Sequence, residues 1–493
     1  MALERTRAFI GRLRGMFTNS VLRGIPEVAK SESVNASKMI DSIDIWLNLY
    51  GGIAPWVKDD EPSLELPSQI AAEVAGAVVV EMEATVTGSP MGEFINEMIK
   101  PVVKNAQFII EYLCAGGGFV LKPSVDGDKI TVEMVKANAF YPTSYTNDLK
   151  ITGGYFIYRY WDGPTVYTRL EKHEITEDGY LITNKAYKSS VSNSLGRPCK
   201  LSEVARWADI DEKVIIQDLG VTLFAYIKMP LGNTIDPESP LGVSVYHRAV
   251  KTIRDADEQY RSLLWEYKGG ELAIDASEDA FRKVGGRPEL PENKDRLFRT
   301  NKLDPATAKE SEIFKAWAPS LRDSNYMSGL NKILIQIENE CGISRGTISD
   351  PNEVEKTATE YRIMKQRYAR LVTNIQKSFE TGLNDLIDAI YALAYLYELC
   401  PDGDYVANYK WDDSILIDSD TERQRDLEEV RDGIMQKWEY RMKWYGEDEE
   451  TAKAAIQKEE SYDEDEILGF RELPVIPGQQ NSPIQQPNPS IEE

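Results

Sequence analysis

A chain of 493 residues, 42% hydrophobic and 10% aromatic, has the composition of an ordinary folded protein and room for roughly two to four cores. Its formal net charge of −24 makes the surface as a whole repel nucleic acid, so any DNA contact has to be local, transient or deliberately weak. The four cysteines, Cys114, Cys199, Cys341 and Cys400, lie far apart without a CxxC pair, and His173 and His247 are the only histidines. That set argues against zinc, and neither a metal nor a cofactor is expected; the cysteines read as buried free thiols. Tyr391 to Leu399 is too short and too polar to span a bilayer and no secretory segment follows the start, so a soluble protein made in a reducing compartment is expected.

Met1 to Phe17 sets Arg5, Arg7, Arg12 and Arg14 among Leu3, Phe9, Ile10, Leu13, Met16 and Phe17, the pattern of a basic amphipathic helix. Its apolar stripe is expected to pack on the same chain or on a neighbouring subunit rather than on a membrane. Met39 to Tyr50 is helical up to the stop at Gly51-Gly52 and Pro55, Leu66 to Val80 is a second helix, and Glu93 to Ala115 a third. The third ends in Gly116-Gly-Gly118, which precedes a strand at Phe119 to Pro123. That order is wrong for a phosphate-binding loop and right for a helix cap followed by a tight turn.

From Phe119 to Met229 short β-branched and aromatic runs predict strands at Lys129 to Val135, Gly154 to Trp161, Thr165 to Glu171, Gly179 to Asn184 and Leu223 to Lys228. Asp126-Gly-Asp128 and Asp402-Gly-Asp404 lack the further ligands of a calcium loop and read as turns. Beyond the boundary Pro230 to Pro240, Val245 to Lys268 is a charged helix with Ile253, Ala256/Asp257, Tyr260 and Leu263/Leu264 on one side. Glu271 to Pro319 then alternates short strands with turns and concentrates Lys283, Arg287, Lys294, Arg296, Arg299 and Lys302. This is either a basic contact surface or a solvated face offset by Asp275, Glu278, Glu289 and Glu292.

Tyr326, Leu330, Ile333/Leu334, Ile337 and Cys341 mark a helix that Gly342 ends. The polar break Ile343 to Glu355 is a loop, and a second helix follows from near Thr357. Its apolar positions run from Tyr361 through Tyr368, Leu371/Val372, Ile375, Phe379, Leu383, Leu386/Ile387 and Ile390 to Leu393 without a proline until Pro401. About forty residues make a rod of roughly 60 Å, long for a compact domain. Tyr405 to Ile417 reads as a strand, Asp420 to Trp444 as a helix with Leu427, Val430, Ile434, Trp438 and Met442 on one face, and Asp448 to Glu460 as a short acidic helix. From Leu473 the composition is that of a disordered tail.

Three stretches in this order resemble the portal proteins of tailed bacteriophages, in particular the branch found in phages of Gram-positive hosts. They are Gly116-Gly-Gly-Phe-Val-Leu-Lys-Pro123 leading into Ala139-Phe-Tyr-Pro142; Pro240-Leu-Gly-Val-Ser-Val245 opening a helix with Asp255 and Asp257; and Gly342-Ile-Ser-Arg-Gly-Thr-Ile348 followed by Lys356-Thr-Ala-Thr-Glu360. The resemblance spans about Glu93 to Glu398. It implies an α+β, mainly helical, ring-forming subunit with a wing at 1–240 (helical at first, β-rich at 119–229), stem helices at 241–270 and 320–342, and a clip at 271–319. A tunnel loop at 343–356, a long wing helix at 357–399, a crown at 400–470 and a disordered tail at 471–493 complete it.

On this plan Gly346, Thr347, Ile348, Ser349, Asp350, Asn352, Glu353 and Glu355 face DNA in the tunnel loop, and Lys283, Arg287, Lys294, Arg296, Arg299 and Lys302 contact partners or DNA in the clip. The implied function is non-enzymatic: a ring, a dodecamer in the family, at one capsid vertex, through which double-stranded DNA is packaged and ejected. The implied partners are further copies of the chain, the terminase large subunit, head-tail connector proteins, and major capsid and scaffolding proteins, with no membrane. The implied location is the virion, with host cytoplasm during assembly. An acidic wall suits a channel, because moving DNA must not stick, and a wall that neutralised many phosphates would bind it tightly.

Two other readings stay open. Abundant carboxylates and aromatics suit a carbohydrate-active hydrolase, although no strand-helix alternation points to a barrel. A non-portal helical scaffold protein is the other, and the missing Walker-type sequence excludes an NTPase.

Overall fold

The computed structural model describes residues 34–456 apart from 59, 81, 192–193, 218, 272, 278–282, 285–286, 289–297, 302–313, 318–319, 351–357 and 412–418. The basic amphipathic segment Met1 to Phe17 and the tail from Leu473 lie outside the described residues. The architecture is α+β, and the chain divides into two compact units, Met1–Leu416 and Ile417–Glu493.

The first unit begins with α1 (Val34–Tyr50), α2 (Leu66–Val79), β1 (Glu83–Gly88), α3 (Pro90–Lys104) and α4 (Ala106–Gly116). In α2, Pro67 occupies the first turn, where a missing N–H removes no intrahelical bond, and Ile70, Ala71, Val74, Ala75 and Val78 form one fully buried face. The single helix expected from Glu93 to Ala115 is two helices. Pro101, inside α3, has no N–H to bond back to the Glu97 carbonyl, and four residues further on Asn105 leaves helical geometry at φ −101°, ψ 16°. The Asn105 side-chain amide turns back to the Pro101 carbonyl at 2.7 Å.

The strands follow: β2 (Gly118–Asp126), β3 (Lys129–Lys136), β4 (Phe140–Tyr145), β5 (Ile151–Asp162), β6 (Thr165–Thr176), β7 (Gly179–Ser189), β8 (Arg197–Cys199), β9 (Lys213–Ile216) and β10 (Ala225–Lys228). One sheet runs β10-β2-β3; the other runs β4-β5-β6-β7-β8, with β9 paired to the same β7 strand further along. The glycine triplet is a helix cap with close backbone contact. Gly117 takes φ +81° and its N–H closes α4 on the Leu113 carbonyl at 2.8 Å. A Cβ at Gly117 would meet the Val243 carbonyl carbon at 2.6 Å, and one at Gly242 the Gly117 oxygen at 2.0 Å. Val245 N donates to Cys114 O at 2.9 Å, so two of the three stretches that carry the resemblance lie against each other.

The rest of the unit comprises α5 (Val250–Gly269), the short strands β11 (Ala273–Ser277), β12 (Lys283–Val284), β13 (Arg287–Pro288), β14 (Phe298–Asn301) and β15 (Phe314–Trp317), then α6 (Asp323–Cys341), α7 (Ala358–Leu396) and β16 (Tyr405–Lys410). Residues 245–249, expected as helix, form turns that precede α5. α7 is 39 residues long, about 60 Å at 1.5 Å per residue. Val372, Ile375, Phe379, Leu383, Leu386, Ile387, Ile390 and Leu393 are buried on one stripe, as their spacing predicts. Gly382 sits on that stripe because a Cβ there would come within 2.4 Å of Ile227 Cγ1 on β10; it is the point where helix and sheet touch.

β1 went unseen in the sequence. It pairs antiparallel with β16, Glu83 opposite Lys410 and Gly88 opposite Tyr405. The strand that the sequence reading puts at the start of a crown therefore belongs to the first unit.

In the second unit the predicted helix Asp420 to Trp444 is also two helices, α8 (Ser419–Arg431) and α9 (Lys437–Tyr445), and residues 449–456 are helical. Gly433, at φ +74°, breaks the run. The apolar face expected across it is consequently split, and Ile434 is 74% exposed. What holds α8 to α9 is polar: Asp426, 1% exposed, accepts from Lys443 Nζ at 2.7 Å and Trp444 Nε1 at 2.9 Å. No helix among the described residues is long and apolar enough to cross a membrane.

Candidate functional site

α5 and α6 lie antiparallel and are joined by polar bonds along their length. Thr252 Oγ1 donates to Glu340 Oε2 at 2.8 Å near one end, and Gln259 Nε2 reaches the Tyr326 carbonyl at 3.4 Å midway. At the other end Arg322 holds Glu266 through Nε at 3.0 Å and Nη2 at 2.8 Å, the fork geometry that best fits a carboxylate. The guanidinium keeps the Glu266 carboxyl below its ordinary value. A Cβ on Gly270 would meet Leu321 Cδ2 at 2.1 Å, so the two helix ends are drawn together where the β-segment leaves and returns.

That β-segment, 271–319, holds a three-stranded layer in the order β14-β11-β15 and the β12-β13 hairpin. β11 runs parallel to β14 and antiparallel to β15. Of the six basic residues singled out, Lys283 lies in β12, Arg287 in β13 and Arg299 in β14, where Asp275 is its register partner on β11. Lys294, Arg296 and Lys302 lie outside the described residues.

Each of the two antiparallel helices also carries a buried carboxylate that pins a neighbouring loop. On α5, Asp257 accepts from Trp56 Nε1 at 2.8 Å, Ser63 Oγ at 3.0 Å and Leu64 N at 2.9 Å. On α6, Glu338 is 0% exposed. Its Oε1 accepts from Gly346 N at 3.1 Å, Ile348 N at 2.8 Å and Ser349 N at 2.9 Å, and its Oε2 from Ser349 Oγ at 2.8 Å. Asn331 Oδ1 takes Asp350 N at 2.7 Å. Gly346 makes the turn at φ +86°.

The first half of the predicted tunnel loop is therefore folded against α6. Ser349 is buried, Gly346, Thr347 and Ile348 are half-buried, and Asp350 is the exposed residue at the far end of the tether. Asn352, Glu353 and Glu355 lie outside the described residues. The role of Glu338 was missed, although a signal existed: it falls four residues after Leu334 and three before Cys341, on the apolar stripe of α6, where a solvated glutamate has no place.

A second buried polar group joins the sheets. Glu171 on β6 accepts from Lys122 Nζ of β2 at 2.7 Å and from His173 Nε2 at 2.7 Å, and pairs with Arg169 Nη1 at 3.0 Å. Leu223 N donates to the Tyr180 hydroxyl at 3.1 Å, and that hydroxyl is 2.8 Å from His173 Nδ1. Burial keeps His173 neutral, its pKa below the ordinary value, so its single ring proton sits on Nε2 toward Glu171 and Tyr180 donates to Nδ1. Burial opposes ionisation of Glu171, but the His173 hydrogen bond and the Lys122 and Arg169 charges outweigh it and hold the carboxyl well below its usual range. The group is sealed from solvent and fixes one sheet against the other.

No protein-family model and no curated protein sequence matches the chain. Among solved structures, a chain of the virion of a native gene transfer agent (GTA) particle is similar at 9% identity and TM-score 0.38, over 83% of this chain and 93% of that one. A chain from the neck of the native GTA particle, computed with C12 symmetry, is similar at 10% identity and TM-score 0.36, over 76% and 88%. One from the neck of the empty particle, computed with C6 symmetry, gives 9%, 0.37, 85% and 97%. At a TM-score below 0.5 these likenesses carry no weight for function.

Proposed function

We propose that the chain is the subunit of a phage portal ring, the channel at one capsid vertex for packaging and ejecting double-stranded DNA and the docking site for the terminase and head-tail connector proteins. The observation that carries this reading is one continuous arrangement. Two antiparallel helices, α5 and α6, are clamped by Glu266 and Arg322 at the point where a separate β-layer is inserted, and a polar loop then leads from α6 into the 39-residue α7. A stem, a clip at its end, a tunnel loop and a wing helix are the parts such a ring requires in this order.

In this reading α5 and α6 are the stem, 271–319 is the clip and the channel-facing part of the loop is Asp350 and the residues after it. The tether to Glu338 gives that loop a fixed base. The second unit is the crown, and it starts at Ile417 rather than at Cys400 because β16 is committed to β1.

The test is charge reversal in the loop. Glu353→Lys with Glu355→Lys places two cations per subunit in the channel, where phosphate neutralisation releases counterions and binds DNA. Rings are expected to assemble normally while the amount of packaged DNA falls. Unchanged packaging by assembled rings refutes the assignment of this loop to the channel.

A further inference from the structure

A cavity of about 220 Å³ opens where the chain enters α5, where α6 ends and against the side of α7. His247, Arg248, Glu340, Cys341, Arg367 and Arg370 supply its charged and titratable lining. Three guanidinium groups against one carboxylate leave a surplus of positive charge, unusual in a chain whose net charge is −24.

Much of the lining is already committed. Glu340 accepts from Thr252 and, at 3.0 Å, from Gln336 Nε2. Arg367 Nη2 donates to the Asn339 carbonyl at 2.6 Å, at the carbonyl end of α6. His247 turns Nδ1 to the Ser244 carbonyl at 2.7 Å, and its Nε2 is buried with no partner among the described residues. Arg248 and Arg370 stand exposed at the mouth without an ion pair among the described residues. α5 begins at this place with no side chain capping its N-terminal N–H groups.

We propose that this pocket receives an aspartate or glutamate side chain from a second copy of the chain, completing a head-to-tail contact. The proposal rests on the ring reading above and names the chemistry of one of its contacts. A carboxylate entering here meets two guanidinium groups that have no ion pair among the described residues, and the planar arginine fork suits a carboxylate. The surface of a second copy is rich in such groups, with 81 Asp and Glu against 57 Lys and Arg. A duplex is a poorer occupant, because its phosphates lie along the ridge of a stiff rod and reach only the guanidinium groups at the rim, leaving the interior empty. A basic pocket is not complementary to itself, so the contact joins unlike surfaces, the kind that closes into a ring.

Ordinary chains and chains uniformly labelled with heavy nitrogen, both carrying Arg248→Lys and Arg370→Lys, are mixed and assembled. A carbodiimide then couples each new amine to any carboxylate in contact with it. Cross-linked peptides containing position 248 or 370, joined to an Asp or Glu peptide of the other isotope, are the expected result and also identify the partner residue. Assembled rings whose links at these positions are all of one isotope, or absent, overturn the contact and leave the ring reading intact. A native mass of one chain for the unsubstituted protein overturns both. In a second arm, Arg248→Glu with Arg370→Glu is expected to raise the concentration needed for assembly by about tenfold or more and to leave binding of a fluorescent DNA duplex unchanged. Loss of duplex binding with unchanged assembly assigns the pocket to phosphate and overturns the proposal.

Discussion

Glu338→Ala is the substitution that most sharply tests how the loop after α6 is held. The fully buried carboxylate is the acceptor for three backbone N–H groups, of Gly346, Ile348 and Ser349, and for the Ser349 hydroxyl. A buried donor stripped of its acceptor costs about 1–3 kcal/mol. Water reaches part of this segment because Gly346 and Ile348 are only half-buried, so the four losses sum to less than their maximum, about 3–5 kcal/mol. Glu338→Gln keeps an oxygen for the three N–H groups and loses the charge, at about 1–2 kcal/mol. Against a typical domain stability of about 5–15 kcal/mol, both changes are readable as shifts of the urea midpoint. Hydrogen exchange localises them: the amides of 346, 348 and 349 are expected to be protected in the parent chain and to exchange at least about tenfold faster in Glu338→Ala. A loss below about 0.5 kcal/mol, with unchanged exchange at those amides, refutes the tether.

Gly382→Ala gains about 1 kcal/mol of helix propensity but drives a methyl to 2.4 Å from Ile227 Cγ1, an overpacking that costs about 1–3 kcal/mol. The expected outcome is net destabilisation, reversing to neutral or favourable in an Ile227→Ala background; the same sign in both backgrounds refutes the contact. Acid is expected to weaken the first unit. Its folded pKa depressed, His173 takes up a proton more readily in the unfolded chain as pH falls through 6.5, and Glu171, also depressed, adds its loss below 4.5. Denaturant midpoints are therefore expected to fall steadily from pH 6.5 downward, and less steeply in a Glu171→Gln, His173→Gln chain. Reversing Lys294, Arg296 and Arg299 to glutamate is expected to weaken binding to the packaging motor or the connector while melting stays unchanged; unaltered binding makes these residues a solvated face.

The parts of the fold that were legible in the sequence are those written in local periodicity. The stripe from Tyr368 to Leu393 announced α7, and Gly342 and the triplet at Gly116 announced two helix ends at the residues where the chain takes φ +79° and +81°. Local interruptions were harder to read. Asn105, four residues after Pro101, and Gly433 each split a run whose apolar spacing stayed regular across the break, so periodicity alone joined what backbone chemistry separates. The β1-β16 pair was invisible because Glu83 and Lys410 are partners across most of the chain, and no local pattern in either segment names the other.

The functional elements divide in the same way. Ile343 to Glu355 reads as a loop from its glycine, serines and proline, but that Glu338 holds its first half depends on a carboxylate turned inward, which composition does not reveal. The pocket between α5, α6 and α7 is assembled from stretches more than a hundred residues apart, His247 and Arg248 in one and Arg367 and Arg370 in another. Each arginine alone reads as a solvated charge; only the fold sets them side by side.

The proposed function requires a closed ring around a DNA channel. Native mass spectrometry of the purified full-length chain, paired with negative-stain class averages of the same sample, tests it most directly. One species of about a dozen subunits is expected, imaged end-on as a ring with an axial hole wide enough for a duplex. A discrete assembly without a hole, or open helical filaments, contradicts it and favours a helical scaffold protein instead.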